Sequence, residues 1–164
     1  MWFKNLILYR LNSPFEPSPE ELAEAMAGDA FKPCGGLEAS SIGWDKPLGR
    51  SGSELVHAAN GRILLCARKE QRLLPPSVVR ETLEERLDRI AVHEHRKVGH
   101  KERSRIRDEI VFELLPRAFA GSTRTFAYLS PQDGWLVVDA SAMGRAEELV
   151  VLLGESLGQL DASP

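Results

Sequence analysis

Between Glu94 and Asp108 stand six basic side chains, Arg96, Lys97, Lys101, Arg103, Arg105 and Arg107, with the acids Glu94, Glu102 and Asp108 among and beside them. Lys and Arg grouped in this way suit phosphate. They neutralise a nucleic-acid backbone and release its counterions without contacting a base. The competing reading is a solvated helical surface whose charges keep an exposed hairpin soluble. Arg117 and Arg124, and also Lys4 and Arg68, would extend the basic surface if the fold brings them to its side.

Other residue groups resemble chemical sites less closely. His93, Glu94 and His95 have ligand-forming side chains, but positions two apart on a helix point to nearly opposite sides and cannot share a metal. His100 falls in the expected turn, and His57 in a strand reads as a packed or edge histidine. Cys34 precedes Gly35-Gly36 with no histidine or helix start beside it to favour a thiolate, so it reads as a small buried hydrophobe. Gly49-Arg50-Ser51-Gly52-Ser53 lacks the Lys and the following helix of a phosphate-binding loop. No nucleophile elbow, dinucleotide fingerprint or H-E-x-x-H occurs, so neither an enzyme nor a cofactor is expected.

The basic residues sit in the middle of a stretch from Pro75 to Phe119 that reads as two helices broken at Gly99. Val79, Leu83, Leu87 and Ile90 recur at helical spacing before the break. Ile106, Ile110, Val111, Leu114 and Leu115 do so after it, until Pro116. Apolar roots with a basic middle predict a projecting two-helix arm, 75–117, held by an α/β body of 1–74 and 118–164.

In the body, Trp2–Leu11 predicts a strand, and Ser18-Pro19-Glu20-Glu21 predicts a capped helix start. Short irregular strands are expected over 31–44. Asn60-Gly61, between the apolar-rich runs Leu55–Ala59 and Arg62–Leu74, is a strong hairpin signal because both central positions need positive φ. In the second strand Ile63, Leu65 and Ala67 point one way, and Arg62, Leu64, Cys66 and Arg68 the other. A second hairpin is expected from Thr123–Leu129 and Trp135–Ala140. A last helix, capped by Ser141, carries Leu149, Val150, Leu153 and Leu157 inward and stops at Gly158. A covering strand would ordinarily follow such a hairpin and helix, and the chain is expected to stop short of one. The fold class is therefore α+β, an antiparallel-rich sheet body with packed helices.

Bulk properties are compatible with this. The 164 residues carry a formal net charge of −3, so an anion-binding surface has to be local. The two cysteines form no C-x-x-C pair and read as reduced, in a cytosolic setting. The opening MWFKNLILYRL reads as a strand and not a signal peptide, and no run has the length of a membrane span.

At larger scale the sequence resembles the bacterial recombination-associated protein RdgC family. The runs that carry the resemblance are MWFKNLILYRL, FKPCG, GWDKPLG, HAANGRILLCARKEQRLLP, KERSRIRDEIVFELLPRAF and GWLVVDASAMGRAEELVVLLGESLG, in that order. The resemblance implies a non-enzymatic, nucleoid-associated protein that binds double-stranded DNA with little sequence preference. It also implies a homodimeric ring around a basic hole, and restraint of the recombinase RecA by competition for DNA. The arm would be the family's tip, with Phe119 and Pro116 as candidate dimer contacts, where the residues alone favour Phe119 as a staple between helix and body. The family pattern is basic in this region; the candidates for a DNA-facing lining are, on the residues themselves, Arg96, Lys97, Lys101, Arg103, Arg117 and Arg124, extended by Lys4 and Arg68. Two departures stand out. The match is to the N-terminal half of a longer pattern, and Gly99-His100 interrupts the tip where helix formers and more lysine are expected.

Overall fold

The computed structural model describes residues 3–164. The first strand, β1 (Leu6–Leu11), alternates so that Tyr9 and Leu11 are buried while Leu6 and Leu8 are exposed. The expected start at Trp2 lies outside the described residues. Helix α1 (Pro19–Ala27) begins as the sequence dictates. Ser18 accepts from the Glu21 N–H at 3.2 Å while the Glu21 carboxylate accepts from the Ser18 N–H at 2.8 Å, a reciprocal cap with Pro19 in the first turn. Leu22 and Met26 are its buried face.

The weakly patterned segment that follows resolves into one strand, β2 (Ser40–Trp44), and a parallel bridge between Ala30 and Trp44. Strands β3 (Val56–Ala59) and β4 (Arg62–Leu73) form the Asn-Gly hairpin, pairing Ala59 with Arg62 and Val56 with Leu65. Asn60 at φ 51° and Gly61 at φ 72° supply the two left-handed positions that this tight turn requires. Ile63, Leu65 and Ala67 enter the core on one side of β4, as the alternation predicts.

Helix α2 (Pro76–Glu94) and helix α3 (His100–Leu114) follow. The break is made differently from expectation. Gly99, at φ −73°, is only the N-cap of α3, and the left-handed residue is His95 at φ 50°, the C-cap of α2. His100 is accordingly the first residue of α3 and not part of the turn. A 3-10 turn, Leu115–Arg117, leads into β5 (Phe119–Ser130), which starts four residues earlier than Thr123. β5 pairs with β6 (Trp135–Asp139), and α4 (Met143–Leu157) packs back on the sheet. The α4 cap differs from expectation. Ala142, not Ser141, is the N-cap, without a side-chain bond, so burial of Ala146, Leu149, Leu152 and Leu153 carries this helix. Gly158 ends it at φ 76°. A short strand, β7 (Ala162–Ser163), then pairs with β1 where none was expected.

The result is an α+β fold. Seven strands lie in the order β2-β4-β5-β6-β1-β7, with β3 added beside β4. The pairs β1–β6, β1–β7, β3–β4 and β5–β6 are antiparallel. The chain divides into two compact units. One comprises Met1–Lys32, Ile42–Lys69 and Ser122–Pro164, and the other Pro33–Ser41 and Glu70–Gly121. The first unit holds the larger core, in which Tyr9, Leu65, Leu129, Leu136 and Val138 of the sheet meet Leu22 and Met26 of α1 and Leu149 and Leu153 of α4. The second has a small core of its own, Val79 and Leu83 of α2 against Ile106 and Ile110 of α3. Among the described residues no helix is long and apolar enough to cross a membrane.

Candidate nucleic-acid interface

In the second unit the basic residues fall into two groups, those that protein carboxylates already hold and those they do not. Arg96 lies in the connection between α2 and α3. Its Nη1 and Nη2 donate to both oxygens of Glu102 at 2.8 Å, and its Nε donates to Glu94 at 2.5 Å. Both fork edges of the guanidinium are thus filled. The Glu102 and Glu94 hydrogen bonds hold Arg96 even more firmly protonated than usual, and the Arg96 bond pulls the Glu102 carboxyl below the ordinary range. Arg103 reaches across to Glu84 of α2 at 2.7 Å, and Arg105 faces Glu109 one turn along α3 at 3.7 Å. In contrast, Lys97, Lys101, Arg107 and Arg117 are exposed and have no carboxylate partner among the described residues. Arg80 and Arg89 of α2 are likewise exposed without a carboxylate partner among the described residues. His93 and His95 are exposed, and no metal-holding group of three or more His, Cys, Asp or Glu side chains forms among the described residues.

Phe119 is 86% exposed, so it does not staple the helix to anything. It opens β5 just after the turn that contains the exposed Pro116 and Arg117. The chain before it is held by Arg72, whose Nη1 donates to the Ala118 carbonyl at 3.0 Å while Nη2 donates to the Gly35 carbonyl at 3.2 Å. Nothing in the residues beside Arg72 signals these partners, which lie 37 and 46 residues away.

In the first unit Arg68 and Arg124 converge on one carboxylate. Arg124 Nε donates to Asp45 at 2.8 Å, and Arg68 Nη1 stands 3.9 Å from the same oxygen. Burial pushes the Asp45 carboxyl up, but the Arg124 bond, the Lys46 N–H and the charge of Arg68 together hold it below the ordinary carboxylate range. Beside this group the Cys66 thiol is pushed up to about 12, by burial first and then by Asp45, which keeps it a protonated, inert core residue. The backbone N–H of Lys4 donates to Asp139 at 3.0 Å, leaving its exposed side chain without a partner among the described residues. The acidic partners Asp45, Glu84, Glu94 and Glu102 decide which cations remain free. Glu94 and Glu102 lie within six residues of Arg96, whereas Glu84 and Asp45 lie 19 and 79 residues from Arg103 and Arg124.

Comparison with known proteins places this geometry in a family. A family model described as "Putative exonuclease, RdgC" matches residues 1–164. The chain belongs to the RdgC family. It is 45% identical over 164 residues to the recombination-associated protein RdgC of Aeromonas hydrophila, covering 100% of this chain and 54% of that protein. It is 48% identical to the protein of the same name from Halorhodospira halophila, and 45% identical to that from Shewanella oneidensis, with the same coverage. The chain therefore spans about half the length of the curated relatives it matches. The family description names an enzyme, whereas the curated names refer to a process, recombination, and assign no reaction.

Proposed function

We propose that this recombination-associated RdgC-family chain is a non-enzymatic, nucleoid-associated DNA-binding protein. It occupies double-stranded DNA through phosphate contacts, without reading sequence, and pairs as a homodimer. By occupying DNA it restrains recombination that depends on RecA. The α/β body, 1–74 and 118–164, carries Lys4, Arg68 and Arg124. The helical arm, 75–117, carries Arg96, Lys97, Lys101 and Arg103, and Arg117 follows at its root. The observation that carries the reading is the set of exposed cations without a carboxylate partner among the described residues, including Lys97, Lys101, Arg107 and Arg117, in a chain of net charge −3 whose relatives are named for recombination.

The test is a salt titration of duplex binding. Each phosphate neutralised contributes about −0.9 to the slope of log affinity against log salt. Replacing Lys97, Lys101 and Arg117 together by Ala should make the slope shallower by roughly 2–3 units, whereas Arg96→Ala should leave it nearly unchanged because Glu94 and Glu102 already neutralise that charge. No binding at low salt, or binding indifferent to salt, would defeat the reading.

A second reading, a dimerisation module with little DNA affinity of its own, is favoured by the ion pairs that occupy Arg96, Arg103 and Arg105 and by the exposure of Phe119. Exposed aromatics in a fixed backbone frame are typical interface anchors. Phe119→Ala should weaken a dimer by about 2 kcal/mol, roughly thirtyfold in its dissociation constant. Light scattering across a concentration series reads this directly. An unchanged dimer would clear Phe119 of the contact.

A further inference from the structure

The sheet of the first unit is two-faced in charge as well as in packing. One face lies under α1 and α4, and those helices carry Glu20, Glu21, Glu24, Glu147, Glu148 and Glu155 against a single Arg145. The strand registers send the alternate side chains to the other face, where Val137 and Cys66 are buried while Arg10, Arg62 and Arg124 are exposed. Arg10 of β1 stands there opposite Trp135 of β6, and β6 in turn places Val137 beside Tyr128 of β5. Arg62 and Arg68 of β4 and Arg124 of β5 are on the same face, because their neighbours Ile63, Ala67 and Ala127 are the ones in the core. Four arginines thus share this face with two aspartates, Asp45 and Asp139. Asp139 is already engaged by the Lys4 and Asn5 N–H groups.

Three of these arginines lie over aromatic rings. Arg10 is 4.8 Å from the Trp135 centroid, Arg62 is 5.7 Å from Tyr128 and Arg68 is 4.2 Å from Phe31. A guanidinium resting on a ring is held in place by its flat side while its N–H edges can still donate; the edges of Arg68 are taken up by Ser122 at 3.1–3.2 Å and by Asp45, whereas Arg10 and Arg62 keep theirs. This differs from the state of Arg96, whose edges are filled by carboxylates. Arg62 makes no ion pair among the described residues, and Arg10 donates only a long 3.4 Å bond to the Asp133 carbonyl. The face therefore presents preordered donors whose immobilisation cost is already met within the fold. Its charge is complementary to a polyanion, and the helical layer behind it is acidic and would repel one.

We propose that this arginine-bearing sheet face is a duplex-DNA contact surface, with Arg10 and Arg62 as phosphate ligands beside Arg68 and Arg124. The inference rests on the DNA-binding reading above and adds to it a face and two residues. Asp45 then acts as a brake, holding Arg68 and Arg124 out of full engagement.

The experiment is fluorescence anisotropy of a labelled duplex with the 164-residue chain at several salt concentrations. Arg10→Ala with Arg62→Ala should lower affinity at low salt by roughly tenfold or more and make the salt slope shallower by about two units. Asp45→Asn retains an acceptor for the Lys46 N–H but removes the charge that holds Arg124 and faces Arg68, which stays on Ser122, and should tighten binding several-fold. If the parent chain binds with a steep salt slope while the double variant matches it in affinity and slope, the sheet face is not the contact surface and the DNA-binding reading stands. Weaker binding by Asp45→Asn would likewise overturn the assignment. A parent chain that does not bind at low salt removes the reading and this inference together. A single strand bound more tightly than the duplex, with the same arginine dependence, would overturn the duplex as the occupant.

Discussion

Gly43→Ala should lower the stability of this protein by about 3 kcal/mol, although it adds a single methyl group. Gly43 is buried, and a Cβ there would lie 2.6 Å from Phe31 Cα, 2.7 Å from Phe31 N and 2.8 Å from the Asp29 carbonyl oxygen. All three are backbone atoms, so no side-chain rotation relieves the contact. The two segments cannot simply separate either. The Trp44 N–H donates to the Asp29 carbonyl at 2.9 Å and the Phe31 N–H to the Trp44 carbonyl at 2.8 Å, and these bonds tie the bridge between Ala30 and Trp44. Trp44 itself is 1% exposed, and its indole N–H donates to Ser156 of α4 at 2.9 Å. Ser156 passes a 2.5 Å bond on to Asp29. Moving the strand therefore strains a buried polar chain as well as the packing. For a chain of this length the loss corresponds to a fall in melting temperature of roughly 6–12 °C. Thermal unfolding followed by circular dichroism measures it, with Gly28→Ala as the control, because nothing lies within 4 Å of that Cβ and φ is −65°. Equal melting temperatures for the two variants would show that the bridge gives way at little cost. The same shift would displace Phe31 from under Arg68, so the variant should also disturb the arginine face.

What could be read in advance depended on how local each cause was. The Asn60-Gly61 hairpin was legible because two adjacent residues set both φ angles. The α1 start was legible because Ser18 and Glu21 cap each other three residues apart. Helices α2 and α3 were legible from apolar spacing alone. The Ser141 cap was misplaced by one residue because α4 gains its stability from buried leucines and not from a capping side chain. β7 escaped notice because two residues paired to β1 leave no periodic pattern. The candidate interface divided in the same way. Which residues are cationic is plain in the sequence. Which cations are spent depends on Glu84 meeting Arg103 and Asp45 meeting Arg124, 19 and 79 residues apart. The stacking of Arg10 and Arg62 on Trp135 and Tyr128 likewise follows from strand register, which no local motif encodes.

Ile110→Ala should open the α2–α3 pair while leaving the sheet intact. Ile110 is 0% exposed and belongs to a core of four buried residues, with Val79, Leu83 and Ile106. Partly buried hydrophobics such as Leu87 and Ile90 pack against this cluster. Removing three methylene equivalents from so small a cluster costs about 3 kcal/mol, and few other contacts remain to share the loss. The rest of the second unit's stabilisation is weak. The pair of Arg103 with Glu84 and that of Arg86 with Glu113 are exposed and worth little. Neither helix has a side-chain cap. Opening should therefore be local. Hydrogen exchange of amides in α2 and α3 should accelerate by roughly a hundredfold. Amides of β1 and β6, held in the larger core by Tyr9, Leu136 and Val138, should exchange at parent rates. Leu149→Ala, in that larger core, should produce the opposite pattern, accelerating the slowest sheet amides. Uniform acceleration in the Ile110 variant would mean that the two cores unfold as one. A local opening would mean that the cations Lys101 and Arg107 ride on a helix pair whose order is set independently of the sheet.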